Sequence, residues 1–121
     1  MTESILHSQV AEYLNLLQSQ GKLWWLHPAN EGKRSVVTGA RLKRHGLKPG
    51  APDILIWLPG DHSAAIELKT PKGRVSPPQA LCMDQMRAFT PNIFICRSFE
   101  ECKQTIDNLI RAFPKRVERA A

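Results

Sequence analysis

The chain contains no apolar run approaching the roughly 20 residues that a bilayer-crossing helix requires, so no membrane partner is expected. Met1-Thr2-Glu3-Ser4 has neither the basic start nor the apolar stretch of a signal peptide. Cysteine is scarce. Cys82, Cys96 and Cys102 are an odd number without metal-ligand spacing, which argues against a disulfide framework and for free thiols in a cytoplasmic setting. Internal repeats, low-complexity segments and linkers are also missing, so the 121 residues read as one domain spanning 1–114, with 115–121 as a flexible tail. The most informative absence is local. Between Gly32 and Pro52 the chain places Lys33, Arg34, Arg41, Lys43, Arg44 and Lys48 and no acidic residue. A solvated face usually mixes charge signs, so this stretch and the net charge of +6 favour a polyanionic partner.

The elements that are present alternate. Ile5, Leu6, Val10, Tyr13, Leu14, Leu16 and Leu17 recur at helical spacing and predict an amphipathic helix over 3–20, capped by Thr2 or Ser4 and stopped by Gly21. Glu3 would lie in its first turn, where the helix dipole alone accounts for an acidic residue. Leu23-Trp24-Trp25-Leu26-His27 reads as a short aromatic strand, and 35–45 as a short helix or turn ended by Gly46. Ile54 to Leu58 and Ala64 to Lys69 predict two further strands. Ser76, Pro77 and Gln79 form a capping box ahead of Ala80, Leu81, Met83, Met86 and Phe89 at helical spacing. Ile93 to Cys96 reads as a short buried strand. Ser98 and Glu101 open a last helix with Phe99, Cys102, Ile106, Leu109, Ile110 and Phe113 inside, closed by Pro114. The order α-β-(α)-β-β-α-β-α is that of an α/β domain built on a small mixed sheet flanked by helices.

Two carboxylates and a lysine interrupt the apolar strands: Asp53 before Ile54, and Glu67 and Lys69 around Leu68. Such groups are costly to bury unless something binds there. Strand side chains alternate between faces, so Glu67 and Lys69 share one, as do Asp53, Leu55 and Trp57. If the strands form a hairpin, Asp53 and Glu67 converge only across an odd-length loop. Three residues, Pro59-Gly60-Asp61, put Asp53 opposite Glu67, and five put it opposite Lys69. A two- or four-residue loop without a bulge separates the carboxylates. Opposed Cβ atoms lie about 4.5–5.5 Å apart, a spacing that lets both carboxylates reach one hard cation. Lys69 would then stand near an attacking water or the developing phosphate charge. The basic Lys72-Gly73-Arg74 loop follows directly.

These residues resemble the PD-(D/E)XK nuclease motif: Pro52-Asp53, thirteen residues, then Glu67-Leu68-Lys69. The longer string, Gly50-Ala51-Pro52-Asp53 through Ile66-Glu67-Leu68-Lys69, Gly73-Arg74 and Ser76-Pro77-Pro78-Gln79, resembles the VRR-nuc branch over roughly residues 3–112. That resemblance implies a restriction-endonuclease-like fold and a metal-dependent DNA endonuclease of a stand-alone phage or prophage type acting in a bacterial host. It implies Mg²⁺ or Mn²⁺ held by Asp53, Glu67 and the backbone carbonyl of Leu68, with Lys69 orienting water or stabilising charge. Gln79 would support the site, although its capping-box role explains it equally well. Glu3 matches an acidic residue on the first helix that such nucleases direct at the metal, through water or directly. No nucleotide cofactor is expected.

Small stand-alone members resemble Holliday junction resolvases, so a homodimer cutting branched DNA is the leading expectation. A flap-, nick-directed or restriction-like nuclease of the same fold is the alternative. A non-catalytic DNA-binding module would carry basic residues without the paired carboxylates. Trp24 and Trp25 could supply a dimer surface, with core packing expected for at least one. Lys33, Arg34, Arg41, Lys43, Arg44, Lys48, Lys72 and Arg74 are the expected DNA contacts. His7, His27, His45 and His62 have no ligand spacing, even with His27-Pro28-Ala29-Asn30 adjacent to one another, and are expected to be scattered surface or core residues.

Overall fold

The first helix buries one stripe. In the computed structural model, which describes residues 1–28 and 36–116, α1 spans Glu3–Ser19. Leu6, Val10, Leu14 and Leu17 are buried at spacings of four and three, as helical periodicity requires. Ile5 and Leu16, also in the expected apolar set, face outward and are about half exposed. Thr2 is the cap: its hydroxyl oxygen accepts the Ile5 N–H at 3.1 Å.

The remaining elements are β1 (Trp24–Leu26), α2 (Val36–Arg44), β2 (Ile54–Leu58), β3 (His62–Leu68), α3 (Pro77–Met86), β4 (Ile93–Cys96) and α4 (Phe99–Ala112). They follow the order expected from the sequence, and β3 begins two residues earlier than Ala64. The four strands form one sheet in the order β1-β2-β3-β4. β1 and β3 run antiparallel to β2, and β4 runs parallel to β3. A parallel neighbour needs a crossover, which the segment containing α3 supplies. The sheet is therefore mixed.

Its core face carries Ile54, Ile56 and Leu58 from β2 and Ala64, Ile66 and Leu68 from β3. The buried stripe of α1 and Cys102, Ile106 and Leu109 of α4 join them in one cluster. Ser98 caps α4 by accepting the Glu101 N–H at 3.1 Å; among the described residues this is the half of the expected capping box that forms. Tyr13 on α1 donates to Asp107 on α4, which ties the two core-covering helices together.

Two apolar segments are less buried than their sequence suggests. On α3 only Met83 is buried, while Leu81 is 60% and the following Phe89 is 90% exposed. The helix is instead fixed at its N-terminus, where both bonds of the Ser76–Gln79 capping box form. On β4 only Cys96 is buried, because the strand lies at the sheet edge. The two tryptophans of β1 divide as alternation demands. Trp25 faces α1, where its indole N–H donates to Asn15 at 2.9 Å and its backbone N–H to Gln18 at 3.0 Å. Trp24 lies on the other face against Trp57, rings edge to face at 5.5 Å, and both are about half exposed. Of the expected tail, residues 117–121 lie outside the described residues.

Candidate functional site

The β2–β3 turn decides whether the carboxylates meet. Leu58 pairs with His62 and Ile54 with Ile66, which leaves the three-residue turn Pro59-Gly60-Asp61. Gly60 and Asp61 adopt φ of 76° and 62°, the left-handed region that glycine and aspartate tolerate best. One step beyond Ile54 and Ile66, Asp53 stands opposite Glu67. Of the loop lengths open to the sequence, the three-residue one is realised.

Asp53 occupies a bend just before β2 and is 9% exposed. Its Oδ2 accepts the Leu68 N–H at 2.8 Å, so a side chain takes the place of a strand carbonyl at the end of the ladder. Glu67 is 1% exposed, and its Oε2 is buried with no hydrogen-bond partner among the described residues. Burial is the main force holding its proton, with hydrogen bonding to Asp53 and the charges of Asp53 and Glu3 adding to it. Lys69 opposes them, and the Glu67 pKa is pushed up to about 9. Lys69 is itself buried, its backbone N–H bonded to Cys96 O at 3.0 Å on β4.

Glu3 reaches this pair from the first turn of α1. One carboxylate oxygen from each of Glu3, Asp53 and Glu67 lies within 4.8 Å of the others. Three converging carboxylates, one of them carrying a buried oxygen without a partner among the described residues, fit a hard divalent cation. A cation held by them would offset the burial and the neighbouring charges that keep Glu67 protonated. Leu68 adjoins these carboxylates through its N–H, which donates to Asp53.

Gln79 lines a depression of about 340 Å³ with Glu3, His27, Gly50, Asp53 and Ser76. Its Oε1 accepts the Ser76 N–H at 2.9 Å. The amide oxygen is thereby engaged in the helix cap, and the other end of the side chain is an NH₂ group, a donor and not a metal ligand. Gly50 makes this wall possible. It adopts φ of 81°, and a Cβ there would fall 2.5 Å from the Pro78 carbonyl carbon and 2.7 Å from Gln79 N.

The basic residues divide into two exposed groups. Arg41, Lys43 and Arg44 project from α2, and Lys48 follows at the turn that leads to Pro49 and Gly50 of the depression. Lys72 and Arg74 sit on the loop after β3, also exposed. Lys33 and Arg34 lie outside the described residues.

Sequence reasoning missed three residues at this end of the sheet. Arg97, just after β4, donates through Nη1 to the carbonyls of Thr70 at 2.9 Å and Gly73 at 2.7 Å, holding the basic loop in shape. His7 and His27 are not scattered: their rings meet edge to face at 4.4 Å beside Asp53. Twenty residues separate them, so no ligand spacing could reveal the pair; only the packing of α1 against the end of β1 brings them together. His45 and His62 are exposed, and the His62 ring stacks on Phe113 with centroids 3.8 Å apart.

A solved structure described as a VRR_NUC domain protein superposes with a TM-score of 0.65 at 18% identity, covering 92% of this chain and 89% of that one. At that identity the likeness speaks for the fold. No curated protein matches the chain. The family model of the VRR-NUC domain matches residues 5–100, most of the chain. The chain belongs to the VRR-NUC domain family and carries a nuclease-type domain, with DNA the substrate that such a domain implies.

Proposed function

We propose that the protein is a divalent-metal-dependent endodeoxyribonuclease whose reacting centre is the Asp53–Glu67–Lys69 face of the β2–β3 hairpin. The observation that carries this reading is the buried Glu67 carboxylate. Its Oε2 has no hydrogen-bond partner among the described residues, and one oxygen each of Asp53, Glu3 and Glu67 lie within 4.8 Å of one another. A fold that needed only stability would not retain two neighbouring carboxylates there. Asp53, Glu67 and the Leu68 carbonyl would hold Mg²⁺ or Mn²⁺, with Glu3 as a further ligand, direct or through water. When bound, such an ion supplies Lewis-acid polarisation of the phosphoryl oxygen and a more acidic water.

The chain's own groups do the rest. Lys69, held in place by its backbone bond to β4, orients the water or offsets charge that develops on the phosphate. The Gln79 amide NH₂ is placed to donate to water or substrate along the wall of the depression. Arg41, Lys43 and Arg44 of α2, Lys48 after it, and Lys72 and Arg74 on the loop after β3 offer exposed cations for the phosphodiester backbone.

The finer reading is of a homodimer selective for branched DNA, in the manner of a Holliday junction resolvase, since two symmetric cuts need two centres. The exposed Trp24–Trp57 pair supports it as an apolar patch that a second copy could cover. The test is cleavage of linear duplex, flap and four-way-junction DNA with Mg²⁺, Mn²⁺ or EDTA. Cleavage of the junction above the other two, abolished by EDTA, is expected. Equal cleavage of linear duplex would replace branch selectivity with a restriction-like activity, and cleavage in EDTA would remove the metal from the reading.

A further inference from the structure

The proposed nuclease centre makes no use of His7 and His27, yet the fold assembles them with some care. His7 lies in the second turn of α1 and His27 just after β1, both half-buried. One ligand atom from each and one Asp53 carboxylate oxygen lie within 4.8 Å of one another. Both rings border a depression of about 470 Å³ that also touches Glu3, Ser4 and Ser8. This depression shares Glu3 and His27 with the one lined by Gln79.

The tautomer of His27 is determined by its neighbour. Its Nδ1 stands 2.6 Å from the Asp53 backbone carbonyl, and a carbonyl oxygen can only accept. Nδ1 therefore carries the proton, and in the neutral ring the lone pair is at Nε2. A backbone carbonyl that takes one imidazole N–H and so frees and orients the other nitrogen is the usual arrangement behind a metal-bound histidine. Here the orienting carbonyl and the third candidate ligand belong to the same residue, so Asp53 positions the ring with its backbone and would meet an ion with its side chain.

We propose that His7, His27 and Asp53 form a cation subsite of mixed nitrogen and oxygen ligands, adjacent to the all-oxygen set of Glu3, Asp53 and Glu67 and sharing Asp53 with it. Ligand chemistry separates the two. Three carboxylates suit Mg²⁺ or Mn²⁺, whereas two imidazoles and a carboxylate select a first-row transition ion such as Mn²⁺, Co²⁺ or Zn²⁺ over Mg²⁺. The subsite stands on the placement of the two histidines and does not depend on DNA cleavage by the protein.

The experiment is Co²⁺ binding to the full chain without DNA, followed by visible absorption and titration calorimetry at pH 7.5 with a large excess of Mg²⁺. Wild-type protein is expected to take up Co²⁺ against Mg²⁺. His7→Gln and His27→Gln should each weaken that uptake at least about tenfold and alter the absorption bands, given that even an outer partner of a metal ligand is typically worth 10–100-fold. Glu67→Gln should retain both uptake and bands. His7→Gln leaves the His27–Asp53 bond in place and decides the matter if His27→Gln loses its circular dichroism. Co²⁺ uptake unchanged in His7→Gln would overturn the subsite, as would uptake lost only in Glu67→Gln. Mg²⁺-supported cleavage is measured separately, so failure of the histidine site and failure of the nuclease reading give different results.

Discussion

The two faces of the β2–β3 hairpin alternate residue by residue along the same stretch of chain and bury opposite kinds of group. On one face Ile54, Ile56, Leu58, Ala64, Ile66 and Leu68 are buried and apolar. On the other Asp53, Glu67 and Lys69 are just as inaccessible but charged or chargeable, and Glu67 keeps an unpartnered oxygen. Full burial of a Leu or Ile side chain contributes about 1.5–3 kcal/mol, whereas an unsatisfied buried polar group costs about 1–3 kcal/mol. The core face therefore stabilises the fold, and the polar face draws on that stability. A one-residue slip of the hairpin would exchange the faces, so the left-handed Gly60 and Asp61 that fix the three-residue turn hold both properties in register.

The largest effects should fall on activity when the polar face is changed. Asp53→Asn, Glu67→Gln and Lys69→Ala are each expected to lower DNA cleavage by at least about a thousandfold, the upper range found when a group that stabilises developing charge is removed, with circular dichroism unchanged. Wild-type rates in Lys69→Ala would strip that residue of its role. The core face should answer in the other measure. Ile66→Ala is expected to destabilise by about 2–5 kcal/mol, read by urea unfolding. A loss below 1 kcal/mol would mean that the two faces are less distinct than their burial indicates.

How much of this was legible beforehand follows from the range of each interaction. The caps at Ser76 and Ser98 rest on contacts three residues apart and could be read from the sequence, which narrowed the first helix's cap to Thr2 or Ser4. The carboxylate pairing could be reduced to a condition on the turn, because alternation is a local rule, but the loop length itself stayed open until the three-residue turn was seen. The exposure of Leu81 and Phe89 could not be read from the sequence. Helical spacing says which residues share a face, and not whether another element arrives to cover it. His7, His27 and Arg97 failed for the same reason: each acquires its neighbours through elements distant in the chain.

The exposed cations offer the next test, since they are a third kind of surface, neither core nor centre. Arg41→Ala with Arg44→Ala should reduce the slope of log Kobs against log salt by about 1.8, at roughly 0.9 per phosphate contact. The deficit in DNA affinity relative to wild type would then change about tenfold between 50 and 200 mM salt. An unchanged slope would make α2 an ordinary solvated helix and leave Lys72 and Arg74 as the cations to examine.

The smallest expected effect separates the faces most sharply, because it makes a substitution at a buried position stabilising. In metal-free protein the Glu67 carboxyl has its pKa pushed up to about 9 by burial and by Asp53, against about 4.3 for an unperturbed glutamate such as the unfolded chain presents. Below the unfolded value both states hold the proton, and the group contributes no pH dependence. Between the two values the folded state keeps a proton that the unfolded state has released. Stability then falls as pH rises, and the fall ends only above the folded pKa. Glu67→Gln cannot titrate and should lack this component. In EDTA its thermal midpoint should exceed that of wild type at pH 8.5, and the difference should shrink toward pH 5. Adding Mg²⁺ should raise the wild-type midpoint more than that of the variant, because the ion stabilises the ionised carboxylate that glutamine cannot supply. Parallel pH curves for the two proteins in EDTA would show that Glu67 is no less comfortable in the fold than Ile66 on the opposite face.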